Sequence, residues 1–342
     1  MVDARIAVDA MGGDLAPTQI VRGAVEAVAQ DEGLQIVLVG DEVTIREELT
    51  AQGTAPGERL VIVHASQVVT MEETGRASLR KRDSSILKGV GLVRTQDADV
   101  MVGAGNTAAM VAAATVVLKP LPGVKRPGIC VPLPTAEGVS ILCDAGANIH
   151  CKPLHLYHYG LMASAYARTV LDRENPKVGL LNIGSEAGKG NDLVKETAAM
   201  FAETHLNFIG NCEGNDVFTG RVDVTVCEGF VGNVVLKTAE GLYEVIARRM
   251  KDFAMAVETG TIDGNSKTMV RESLQRFRAN MDYAEHGGAP LLGLNGLVLI
   301  SHGRSDARAM RNAIIQAAGI HRKQVLTAMT DSLTTDVSRS AS

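Results

Sequence analysis

One unit recurs along the chain: a short run of aliphatic and β-branched residues, a glycine-bearing loop, then a segment whose apolar residues return every three or four positions. Strands that alternate with helices close most economically as a mostly parallel sheet with helices on both faces, because each crossover helix packs back onto the sheet. The sequence therefore predicts a doubly wound α/β fold. Residues 5–9 read as the first strand, Met11 to Asp14 as its loop, and Pro17 as a residue of the first helical turn, with Ile20, Val21, Ala24, Val25 and Val28 as the buried stripe. Residues 35–39, 61–64, 98–102, 177–181, 208–209, 223–227 and 297–301 read as further strands. Residues 128–132 and 139–144 flank the polar turn 135–138 and predict an antiparallel hairpin. In such sheets ligands gather at the carboxyl ends of the strands, which is where the glycine loops fall.

Two segments break the alternation. Residues 234–282 are helical in pattern throughout, with a polar turn at 259–266, and read as an added helical hairpin. Residues 329–342 belong to a Ser/Thr-rich tail expected to be disordered, leaving 1–328 as a single α/β domain. Hydrophobic residues make up 46% of the chain, enough for a large core, while 35 glycines and only 3% aromatics suit close helix-on-sheet packing. A net charge of −5 argues against nucleic acid as a partner. The five cysteines (130, 143, 151, 212 and 227) form no C-x-x-C pair, so neither a zinc site nor a disulfide framework is expected, and a reducing cytoplasmic setting is. The N-terminus shows no secretory pattern. Residues 100–118 carry no charge, but their glycine-containing centre reads as strand, loop and helix rather than a membrane span.

Several loops can carry chemistry. Gly103-Ala104-Gly105-Asn106-Thr107-Ala108 follows a strand and opens a helix; it nominally fits a dinucleotide fingerprint, yet no Asp or Glu stands between Asp99 and Glu137 to bind a ribose. Free N–H groups and the helix dipole still favour an anion there. The loop 182–191 carries Gly188 and Lys189 but lacks the spacing and the Ser/Thr of a nucleotide-binding P-loop. Asn233, in the third such loop, suits a helix cap or a ligand contact. His302 ends the last strand, with Ser305 or Asp306 as the following cap, and Asp144 with Asn148 forms another small-residue turn. His150, His155 and His158 cluster without an acidic partner and read as a helix start rather than a metal site. Arg76, Arg80, Lys81 and Arg82 form the dense basic run, ahead of the capping signature Asp83-Ser84-Ser85.

Taken together the loops resemble the PlsX family of phosphate acyltransferases. The resemblance rests on 6–14, Ala77 to Lys81 with Asp83 to Ser85, Ala104 to Thr107, 178–184 with 188–191, 229–237, 283–296 and Ser301 to Gly303, in family order over about residues 4–316. It implies a fold like phosphotransacetylase and isopropylmalate dehydrogenase. The implied reaction transfers a fatty acyl chain from acyl carrier protein to inorganic phosphate, giving the acyl phosphate that a membrane glycerol-3-phosphate acyltransferase uses in phospholipid synthesis. No cofactor or metal is implied. The implied catalytic groups are Lys189, Asn233 and His302. Gly12, Gly13, Gly105, Asn106, Thr107, Asp144, Asn148 and Gly188 would bind phosphate or substrate, and Arg80, Lys81 and Arg82 would dock the acidic carrier. A homodimer held partly by residues 234–282 is expected, with hairpin tips making weak contact with the inner face of the cell membrane. Two rivals stay open: a phosphotransacetylase-like enzyme using coenzyme A thioesters, and a non-catalytic membrane-surface scaffold. An acyl-cysteine route through Cys227 is a further option.

Overall fold

The computed structural model describes residues 2–260, 264–281 and 287–340. Eleven strands form one sheet: β1 (Ala4–Asp9), β2 (Leu34–Gly40), β3 (Leu60–His64), β4 (Val100–Gly103), β5 (Gly128–Thr135), β6 (Gly138–Cys143), β7 (Lys177–Leu181), β8 (Asn207–Cys212), β9 (Val224–Val226), β10 (Ala289–Leu292) and β11 (Leu297–Ile300). Their order is β3-β2-β1-β4-β11-β10-β5-β6-β9-β7-β8. The first five are mutually parallel, as are the last four. Between β11 and β6 the direction reverses three times, at β11/β10, β10/β5 and β5/β6. An odd number of reversals leaves the two parallel blocks pointing opposite ways. The expected hairpin is thus part of a longer antiparallel seam across the middle of the sheet.

Strand residues alternate between two cores. Ile6, Val8, Val100 and Val102 face one; Ala7, Met101, Ile129 and Leu133 face the other. The first face is covered by α1 (Thr18–Gln30), α2 (Glu42–Ala51), α6 (Pro153–Val170), α7 (Asp192–Ala202), α10 (Ala307–Arg322) and α11 (Val325–Ser340). The second carries α4 (Ser85–Arg94), α5 (Thr107–Leu118) and the start of α8 (Gly229–Thr259), with the short α3 (Gly75–Ser78) packed on α5. The fold is the doubly wound, mostly parallel sheet that the alternation predicts. Residues 100–118 are β4, its loop and α5, and among the described residues no helix is long and apolar enough to cross a membrane.

The helical hairpin is α8 followed by α9 (Gly264–Met281), the two packed together. Leu242, Val245, Phe253 and Met255 on α8 and Met269 on α9 are exposed. Elsewhere on α8, Val257 is buried and Ile246 and Met250 are half-buried. The tail departs from expectation. It is helical as α11, and Val325, Met329 and Leu333, four residues apart, are buried against the core that also holds α6. Apolar spacing at one residue per turn outweighs the polar composition between those positions. Residues 341–342 lie outside the described residues.

Candidate active site

The glycine loops after β1, β4 and β11 interlock. Asp14 N–H donates to the Gly303 carbonyl and Ser301 N–H to the Gly103 carbonyl, each at 2.8 Å. Gly13 adopts φ +112° where its α-carbon passes over the carbonyls of Ala104 and Gly303, a conformation that needs glycine. A methyl on Gly12 would strike the Asp9 carboxylate and come within 2.9 Å of the Gly105 α-carbon, so the two backbones touch. Asp9 is fully buried beneath them; burial raises its pKa, and Oδ1 accepts the Met11 N–H at 3.1 Å. Asn106 is the N-cap of α5. Its Oδ1 accepts from Ala109 N–H, and its amide donates to the carbonyls of Thr70, Met71 and Glu73. The Asn106 side chain, expected at a ligand, is thereby engaged in holding the loop before α3. What remains at this helix start is the N–H groups of Thr107 and Ala108, which have no acceptor within the helix.

Asp144 and Asn148 are likewise occupied. The buried Asp144 carboxylate accepts the backbone N–H groups of Ile129, Gly146, Ala147 and Asn148, and burial pushes its pKa up. The Asn148 amide donates to Pro127 O, Asp144 and the Tyr159 hydroxyl. Both, expected at the substrate, fix the loop against which α8 begins. Gly229 N–H donates to Asn148 O at 2.9 Å, and a methyl on Gly232 would overlap the Asp144 carbonyl. Glu228, not Asn233, caps α8, accepting from Phe230 and Val231 N–H. Asn233 lies inside the first turns, its Oδ1 3.5 Å from where a Gly146 methyl would stand. Cys227 is buried against the Asp144 carbonyl, and burial together with Asp144 pushes its thiol pKa well above the ordinary value. A protonated, enclosed thiol is a poor nucleophile, so the acyl-cysteine route loses its support.

Between α8 and the antiparallel seam lies a cleft of about 1010 Å³. Ile129, Val131 and Leu133, alternate residues of β5, line one side, and α8 contributes Asn233, Lys237 and Ile246. Thr107, Ser301, His302 and Ser305 line the edge at the carboxyl ends of β4 and β11. His302 Nδ1 accepts the Arg304 N–H at 3.1 Å, which places the proton of a neutral ring on Nε2. Burial holds its pKa below the ordinary value, Glu240 opposing and Lys237 reinforcing the shift. Lys237 pairs with Glu240 at 2.7 Å, and Arg304 with Glu244 at 2.9 Å, so α8 passes directly over the His302 loop. Asp306 also lines the cleft while capping α10 through Ala309 N–H.

Of the expected catalytic groups, the structure thus brings Asn233 and His302 into one cleft. Lys189 is exposed on the loop after β7, beside Glu186 near Gly184, and is not among the cleft's lining residues; neither is Gly188. Lys81 pairs with Glu73 and donates to Val68 O at 2.7 Å, while Arg80 and Arg82 are exposed. His155 closes the α6 start by accepting Lys152 N–H, and no metal-binding cluster is found among the described residues. Lys237 and Ser301 are cleft residues to which the sequence pattern assigned no role, and Ser305, a candidate cap, lines the cleft while Asp306 makes the cap. The family model described as Fatty acid synthesis protein matches residues 4–328. The chain belongs to this family. Within reach of the family are a phosphate acyltransferase of Desulforamulus reducens, 47% identical over 97% of this chain and 98% of that protein. Another, of Carboxydothermus hydrogenoformans, is 47% identical over 90% of this chain and 92% of the relative. Among solved structures, a phosphotransacetylase from Streptococcus pyogenes superposes with TM-score 0.66 at 19% identity, covering 94% of both chains. A 4-hydroxythreonine-4-phosphate dehydrogenase from Klebsiella pneumoniae gives 0.54 at 14%, over 93% of this chain and 98% of its own. These two likenesses concern the fold, which the family shares with enzymes of different chemistry.

Proposed function

We propose that the chain is a phosphate acyltransferase that moves a fatty acyl group from the thioester of acyl carrier protein to inorganic phosphate, yielding an acyl phosphate for phospholipid synthesis. The observation that carries this reading is the cleft itself: an apolar trough along β5 and α8 ends at an edge of hydroxyls, one imidazole and an open helix N-terminus. Apolar walls suit the acyl chain, and the N–H groups of Thr107 and Ala108 with the α5 dipole suit phosphate. A phosphate oxygen attacks the thioester carbonyl, the carbon–oxygen bond forms, and the carbon–sulfur bond breaks; sulfur leaves as a thiolate that takes up the proton the hydrogen phosphate gives up on becoming an acyl phosphate. Phosphate is already a nucleophile at neutral pH, so positioning and oxyanion stabilisation do most of the work. We assign the phosphate charge to Lys237, whose exposed pairing with Glu240 is worth at most about 1 kcal/mol and is readily exchanged. Neutral His302 presents Nε2–H to the carbonyl oxygen or the departing sulfur, and Asn233 donates from the opposite wall. Lys189, standing outside the cleft, is assigned to donor binding rather than to the reacting atoms. The exposed Arg80 and Arg82 suit an acidic carrier protein.

The exposed apolar residues of α8 and α9 support a homodimer through the hairpin, with lipid contact at its tips as a secondary use. Solution mass of wild type beside Phe253→Glu tests the dimer, and co-sedimentation with anionic liposomes tests the contact. The deciding assay for the reaction is thiol release from acyl carrier protein thioesters with and without phosphate. Release that depends on phosphate and yields an acyl phosphate is expected. Equal release without phosphate, or a strict requirement for coenzyme A thioesters, would replace this reading with hydrolysis or with the phosphotransacetylase-like alternative.

A further inference from the structure

The charges around the cleft are confined to one side. Its charged lining residues among the described ones, Lys237, Glu240, Arg304 and Asp306 with the titratable His302, all lie on α8 or in the loop after β11. The opposite edge is built from Pro134 and Ala136 at the β5–β6 turn, with Gly214 and Phe218 from the segment after β8. A single-turn 3₁₀ element, Asp216–Phe218, is fastened there: Ala136 N–H donates to the Phe218 carbonyl at 3.0 Å, and Ser140 Oγ to the Val217 carbonyl at 3.1 Å. Val217 is buried in the second core, whereas Phe218 is 37% exposed and faces the cleft. A partly exposed phenyl ring held by a hydrogen-bonded turn at the apolar end of a trough is a wall, not core filling.

The distance fits an acyl chain. From β11 across β10 to β5, and on to the turn over the β5–β6 hairpin, is two to three strand spacings, about 10–15 Å. One leaflet of a bilayer, half of an approximately 30 Å hydrocarbon core, is of the same length. Resting on the acyltransferase reading above, we propose that the donor's acyl chain lies across β10 and β5 from His302 toward this turn, and that Phe218 closes the far end and sets the chain length accepted. Gly214, four residues earlier, offers the converse control. A β-carbon there would meet nothing within 4 Å, so a larger residue can be added at this edge of the trough without displacing backbone at its base.

The experiment measures kcat/KM against a series of saturated acyl carrier protein donors for wild type, Phe218→Ala and Gly214→Leu, with phosphate saturating and folding checked by thermal melting. Phe218→Ala is expected to move the optimum to longer chains, each additional methylene that gains burial being worth about fourfold. Gly214→Leu is expected to move it to shorter ones. Should Phe218→Ala fail to fold, Gly214→Leu alone decides. Active variants whose chain-length profiles match wild type overturn the inference and leave the acyltransferase reading standing. An unchanged profile with a raised KM for every donor does the same, and gives this edge to the carrier's pantetheine arm. Absence of phosphate-dependent turnover in wild type overturns both.

Discussion

Replacing Gly232 by alanine isolates the contact that seats α8 on the active-site loop. Gly232 lies in the first turns of α8, and a methyl there would overlap the Asp144 carbonyl oxygen, with Asp144 C at 2.9 Å and Cys227 Sγ at 3.0 Å. The obstacle is backbone, and it cannot step aside cheaply. The Asp144 carboxylate is tied to four backbone N–H groups, those of Ile129, Gly146, Ala147 and Asn148. Overpacking of this kind costs about 1–3 kcal/mol or more. Helix propensity works the other way, since alanine in a helix interior is favoured over glycine by at most about 1 kcal/mol. The steric term wins, and a net loss of about 1–2 kcal/mol is expected. Gly241 supplies the comparison on the same helix, because a methyl there meets nothing within 4 Å; Gly241→Ala should gain up to about 1 kcal/mol from propensity alone. Urea unfolding of both variants, read as midpoint shifts at constant slope, separates the two terms. Activity should fall with Gly232→Ala beyond the stability loss, because α8 carries Asn233 and Lys237 into the cleft and a displacement near 1 Å costs about 10²-fold. A Gly232→Ala protein as stable and active as Gly241→Ala would refute the close approach.

Lys237→Ala should lower turnover by about 10²-fold, the scale of one oxyanion-stabilising donor, while Lys189→Ala should mainly raise KM for the acyl donor; the reverse ranking in steady-state kinetics would restore Lys189 to the reacting centre. Charge reversal at Arg80 and Arg82 should weaken acyl carrier protein binding and flatten its dependence on ionic strength, and an unchanged KM at low salt would assign these arginines elsewhere. His158 gives a pH signature: burial lowers its pKa to about 4, with His155 and Lys125 adding to the shift. The unfolded chain, with an ordinary value near about 6.5, takes up the proton first. The stabilisation is therefore complete above about pH 6.5 and is lost as pH falls toward 4, at no more than about 1.4 kcal/mol per pH unit. His158→Phe should remove that slope from unfolding curves, and an identical slope in the variant would assign it to other groups.

The strands were legible because their runs are short, aliphatic and β-branched, most of them followed by a glycine-bearing loop, and each predicted run did become a strand. What the sequence hid is the direction of the sheet's second half. That direction depends on β10, four residues containing Pro290, which bonds antiparallel to both β11 and β5. A strand so short, with a proline inside, offers no alternating pattern to detect. The site was legible to the same degree. Loops that meet a ligand and loops that meet each other share a composition of glycine, Asn and Asp, since both need tight turns and local hydrogen bonds. Asn106 and Asp144 carried the first signal and serve the second purpose, and only their hydrogen-bond partners distinguish the two. Lys237 failed in the opposite sense. It stands within a long helix among exposed positions, where a lysine has no local reason to be anything but solvated. Its place beside His302 follows from where α8 starts, and that is fixed by Gly229 and Gly232 against the Asp144 loop. Two glycines and a buried carboxylate thus aim a lysine several residues further along, and the place of Lys237 in the cleft depends on a packing contact at the start of its helix.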